Sequence, residues 1–108
     1  MSQKELVVYQ TRNAQEPFND WLTSIKDRRT RARILSRLDR LEQGHYGDHK
    51  AVGQGVFELR YFFGSGYRVY FAEDGQAVVL LLCGGDKRSQ QRDITTAQQY
   101  WQDYQDRK

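Results

Sequence analysis

The segment covering residues 56–88, VFELRYFFGSGYRVYFAEDGQAVVLLLCGGDKR, restricts this chain to a sheet-based fold. Residues 56–63 and 67–72 are dense in aromatic and β-branched side chains, and Gly64-Ser65-Gly66 between them supplies turn chemistry. The segment therefore reads as a hairpin. With a three-residue turn, Phe63 stands opposite Tyr67 and Leu59 opposite Phe71, so even and odd positions sort onto opposite faces. The odd face gathers Phe57, Leu59, Tyr61, Phe63, Val69 and Phe71, a core surface. The even face gathers Glu58, Arg60, Phe62, Arg68 and Tyr70. A shift of one residue would destroy this segregation. A further strand over residues 77–83 is apolar at every position, which calls for burial on both faces in the middle of a sheet. It ends at Gly84-Gly85-Asp86-Lys87-Arg88, read as a flexible polar exit that brings Lys87 near Arg60 and Arg68.

Ahead of the hairpin, residues 5–11 (ELVVYQT) read as a short strand at or near a sheet edge. The spacing then turns helical. Phe18, Trp21, Leu22 and Ile25 share one face of a helix that opens with Pro17. Ala32, Ile34, Leu35, Leu38 and Leu41 define a second helix, with Thr30 as its expected N-cap and Gly44 beyond its end. Arg29, Arg33, Arg37 and Arg40 form a basic stripe along it. Residues 43–55 show neither period and read as a surface loop, whose His45 and His49 lack a metal-ligand arrangement. Asp93 is the expected N-cap of a last helix over residues 94–105, docked through Ile94, Ala97, Trp101 and Tyr104.

The expected architecture is α+β: two N-terminal helices and a C-terminal helix on one face of a four-stranded, mainly antiparallel sheet, in the order β-α-α-β-β-β-α. At 108 residues this is one domain, 1–108. The lone Cys83 fits a reduced, cytoplasmic protein, and the first residues, MSQKELVVYQ, lack the apolar core of an export signal. No apolar run is long enough for a membrane span. Formal net charge is +3, and residues 26–40 hold seven basic side chains against two acidic ones, pointing to an anionic partner such as nucleic acid.

No nucleophile elbow, Walker loop, metal spacing or carboxylate cluster is present, so chemistry here would rest on cations and positioning. RNA suits that toolkit, because it carries its own 2′-hydroxyl nucleophile and needs in-line orientation, charge neutralisation and proton transfer. Arg60 and Arg68 match phosphate oxygens, Lys87 serves proton transfer, and Phe62 and Tyr70 offer surfaces for base stacking. The plainer alternative pairs Arg60 with Glu58 or Asp74 and leaves Arg68 an ordinary cross-strand partner.

The strings GVFELRYFFGSGYRVYF and VVLLLCGGDKRSQQRDITTA, with PFNDWL and RILSRLDRL, resemble the HigB-like, phage-derived Gp49-like killer branch of the RelE/ParE toxin superfamily. That resemblance implies a toxin of a type II toxin–antitoxin module. Its expected activity is metal- and cofactor-independent endonucleolytic cleavage of mRNA, usually in the ribosomal A site, silenced by a helix-turn-helix antitoxin. It also assigns phosphate binding to Arg68, catalytic assistance to Lys87 and a basic site position to Arg60. Arg33 and Arg37 would bind ribosomal RNA, and Arg40, Arg88 and Gln91 complete the RNA-facing set. Glu58 stands where some relatives carry lysine, which makes it a candidate base; where better characterised relatives often place a tyrosine or histidine near the C-terminus, the corresponding region here offers Asp93, read as a cap, with Gln90 and Gln91 nearby. A gyrase-inhibiting, ParE-like toxin and a nontoxic nucleic-acid-binding module are the alternatives.

Overall fold

The computed structural model describes residues 3–108, which form three helices and a five-stranded mixed sheet. The elements are β1 (Glu5–Val8), α1 (Pro17–Ser24), α2 (Arg28–Glu42), β2 (His49–Ala51), β3 (Val56–Arg60), β4 (Arg68–Asp74), β5 (Val78–Gly85) and α3 (Gln90–Asp106). A 3-10 turn, Lys87–Ser89, joins β5 to α3. The sheet order is β1-β5-β4-β3-β2, with β1 parallel to β5 and every other pair antiparallel. β1 does lie at an edge. The fifth strand is β2, inside the segment expected to be loop: its three residues are all exposed, so no apolar alternation marks it, and it exists because its backbone pairs with β3.

The hairpin register differs from expectation by two residues. Phe57 faces Phe71 and Arg60 faces Arg68, and the connection is closed by bonds from the Tyr61 NH to the Tyr67 carbonyl (3.0 Å) and from the Gly66 NH to the Phe63 carbonyl (3.2 Å). Gly64 and Gly66 adopt φ of 61° and 78°, a region that costs glycine nothing. A two-residue shift preserves parity, so the faces sort as expected.

The odd face packs Leu59, Tyr61, Val69, Phe71, Val79 and Leu81 against Phe18 of α1 and Ile34, Leu38 and Leu41 of α2. The even face packs Val56, Tyr70, Ala72, Leu80 and Leu82 against Ala97 and Trp101 of α3. The helices thus lie on both faces, which corrects the expectation of one covered face. The cause is β5, apolar toward both sides and in need of cover on each.

Helix boundaries shift for local reasons. Asp27, not Thr30, caps α2: its carboxylate accepts from the Arg29 NH (3.3 Å) and from the Thr30 hydroxyl (2.8 Å). Ala32 and Leu35 are exposed, because the buried stripe follows Ile34, Leu38 and Leu41. Asp86 caps the Lys87–Ser89 turn, which runs straight into α3; Asp93 therefore lies inside the helix and accepts from the Ser89 hydroxyl at 2.5 Å.

Gly84 and Gly85 are the last residues of β5, paired with Val69 and Arg68, where a flexible exit was expected. A Cβ on Gly84 would fall 2.2 Å from a ring carbon of Trp21. Gly84→Ala is therefore expected to lower stability by about 1–3 kcal/mol through overpacking, read as a lower urea midpoint with an unchanged slope.

The end of α3 is held by carboxylates. The Tyr9 hydroxyl, helped by Arg12 and Arg107, holds Asp103 below the usual carboxylate range, and hydrogen bonds from Lys108 and Tyr104 do the same for Asp74. A depressed folded-state pKa contributes stability that is present above the unfolded value, about 3.9, and lost as pH falls through the folded one. Amide shifts of residues 103–107 should accordingly report loosening below about pH 4 and none between pH 5 and 7.

Candidate nucleic-acid interface

Because β3 and β4 run antiparallel, their register sets Arg60 directly opposite Arg68, and the end of β5 delivers Lys87 beside them. Together with residues 61–66 these three cations line a cleft of about 510 Å³. The sequence expectation that they converge is met. On the other side of the same loop, Arg33, Ser36, Arg37 and Arg40 of α2 line a second cleft of about 280 Å³. Tyr61, Phe62 and Phe63 line both, so the loop is a ridge with cations on each flank. Phe62 is 83% exposed at that ridge, an open aromatic surface suited to stacking.

The cations are held differently. Arg60 makes a two-point ion pair with Asp48, Nε to Oδ2 and Nη2 to Oδ1 both at 3.1 Å. Its partner is therefore neither Glu58 nor Asp74; the latter is taken by Lys108 at 2.6 Å. Arg68 forms the cleft floor with only 13% of its side chain exposed. Its Nε lies 3.5 Å from Glu58 Oε2, and its Nη1 donates to the Gly66 carbonyl at 2.6 Å. A guanidinium has five N–H donors, so donors remain for a ligand. Lys87 is exposed, and its ammonium forms no ion pair among the described residues.

Three expected roles are revised by burial and bonding. Tyr70 is fully buried and donates its hydroxyl to Glu58 Oε2 (3.1 Å), so no ring face is left for a base; burial, reinforced by Glu58, pushes its phenol well above the ordinary value. Glu58 has no exposed surface and so cannot meet a 2′-hydroxyl as its base. Arg37 leaves the basic stripe. Its guanidinium donates to the carbonyls of Arg60, Tyr46 (3.3 Å) and Asp48 (2.8 Å), fastening α2 to the segment that carries the counter-ion of Arg60. Arg37→Ala strips donors from partly buried carbonyls and should cost about 1–3 kcal/mol of stability, measured by urea unfolding, before any effect on a ligand.

Arg33 keeps its place, lying 3.7 Å over the Phe63 ring, and Arg40 is exposed on the cleft wall. Arg88 and Gln91 line neither cleft; Arg88 is exposed and pairs loosely with Asp86 at 3.5 Å. Sequence reasoning missed Asp48 and the contact that Gln90 makes. Asp48 sits in a patternless loop, and Gln90 reaches Glu58 only because α3 crosses the even face (Nε2 to Oε2, 2.9 Å).

Fold and site define a class: a small α+β domain whose hairpin end carries a basic, aromatic cleft. The chain belongs to the family described as phage derived protein Gp49-like (DUF891), which matches residues 20–102. This is a RelE/ParE-like, toxin–antitoxin-related family, and membership implies an antitoxin partner. The chain is also 48% identical over 80 residues to an uncharacterized protein of Haemophilus influenzae (strain ATCC 51907 / DSM 11121 / KW20 / Rd), covering 74% of this chain and 81% of that protein. No helix of the described residues is long and apolar enough to cross a membrane.

Proposed function

We propose that this protein is the toxin of a HigB-like toxin–antitoxin pair and cleaves mRNA on the ribosome. The observation that carries the reading is the convergence of Arg60, Arg68 and Lys87 in one cleft beside the open Phe62 ring. Arg68 takes a non-bridging phosphate oxygen with its remaining donors, and Arg60, fixed by Asp48, lies directly across from it. The substrate's 2′-oxygen forms a bond to phosphorus while the bond from phosphorus to the 5′-oxygen breaks. The 2′-proton passes to solvent, and the Lys87 ammonium gives a proton to the departing 5′-oxygen, leaving a 2′,3′-cyclic phosphate and a 5′-hydroxyl. Phe62 stacks the neighbouring base, and Arg33 and Arg40 hold flanking phosphates.

Primer extension on cellular mRNA after induction without antitoxin is expected to show discrete cuts, and purified ribosomes should be required to reproduce them. DNA breaks without mRNA cuts would replace this reading with gyrase inhibition. Growth unaffected by expression would favour a nontoxic binding module.

A further inference from the structure

Two arginines directly opposite on neighbouring strands repel one another, yet Arg60 and Arg68 occupy such a pair. Each has its own carboxylate. Arg60 is held from outside by Asp48, whereas Arg68 is held from beneath by Glu58, a charge with no exposed surface in the middle of β3. Two hydrogen bonds converge on Glu58 Oε2, from the Tyr70 hydroxyl of β4 at 3.1 Å and the Gln90 amide of α3 at 2.9 Å, and Arg68 Nε stands beside it as an ion-pair partner at 3.5 Å. Glu58 Oε1 and Arg68 Nε have no hydrogen-bond partner.

An apolar side chain would fill this place at lower energetic cost than a buried, incompletely bonded ion pair. What the charge does is orient. The Gly66 carbonyl fixes one edge of the Arg68 guanidinium and Glu58 attracts the other, so its plane at the cleft floor is set from two sides. Gln90 follows Lys87 by three residues, and the Lys87 NH bonds the Ser65 carbonyl at 3.3 Å. The carboxylate that orients Arg68 therefore also anchors the turn that carries Lys87.

We propose that Glu58 is the positioning residue of the cleft, holding Arg68 directly and registering Lys87 through Gln90. The inference rests on the RNA-cleaving reading above, so its test has one arm that needs no cleavage. In the first arm, the Arg68 Nε–H resonance of the full chain is followed by 15N NMR: slow exchange is expected in the wild type, and rapid exchange in Glu58→Gln. Equal protection in both proteins would overturn the proposal. In the second arm, mRNA cleavage on ribosomes is measured for Glu58→Gln and Gln90→Ala, the latter sparing the buried charge should the former fail to fold. A fall of kcat by about 10²-fold in Glu58→Gln, a smaller fall in Gln90→Ala and KM within twofold support positioning. Unchanged kcat in both variants, or a loss only in proportion to lost folded protein, overturns it. Absence of cleavage by the wild type removes the RNA reading and leaves the spectroscopic arm to decide the anchoring.

Discussion

Lys87→Ala is expected to lower the rate of mRNA cleavage by about 10²–10⁴-fold, the usual contribution of a positioned proton donor, and to relieve growth arrest. Its fold should be untouched. The side chain is exposed and unpaired among the described residues, and such surface substitutions usually change stability by within about 0.5 kcal/mol. Activity and stability are thus separable at this position, which makes it the cleanest probe of the cleft. Cleavage at the wild-type rate by a folded Lys87→Ala protein would remove Lys87 from the mechanism.

Arg68→Ala is expected to damage both properties. Losing one preorganised donor set to a developing oxyanion costs about 10²–10³-fold in rate. Removal of the guanidinium also leaves Glu58 buried without a counter-charge, for which about 3 kcal/mol of destabilisation is typical. The double variant Glu58→Gln/Arg68→Ala separates the two effects. Without a stranded carboxylate it should recover much of the stability of the single variant and none of its activity, a coupling that a double-mutant cycle reads directly. Recovered activity would show that Arg68 is only a partner for Glu58. Equal stability of the single and double variants would show that the pair carries no structural weight.

The ion pair of Arg68 illustrates where sequence reasoning stopped. With Phe63 set opposite Tyr67, Glu58 faces Ala72 and lies away from Arg68. In the observed register Glu58 faces Tyr70 and Arg68 is its diagonal neighbour, near enough to pair. Parity alone does not distinguish these, because both sort the same residues onto the same faces. A similar limit hid β2, whose exposed residues carry no alternation, and with it the strand beside Asp48 that brings a counter-ion to Arg60.

Periodicity was enough to establish an α+β chain, the hairpin with Arg60 and Arg68 on one face, the doubly buried β5 and the apolar faces of α1 and α3. Those features depend on neighbours within one strand, one helix or one turn, where spacing is geometry. Which cation is free and which is spent, that Tyr70 and Glu58 lie sealed beneath α3, and that Arg37 binds backbone instead of a ligand were settled by packing. Each depends on which distant segment covers a face, and that choice comes from filling the space on both sides of β5, a property of the folded whole that no local pattern encodes.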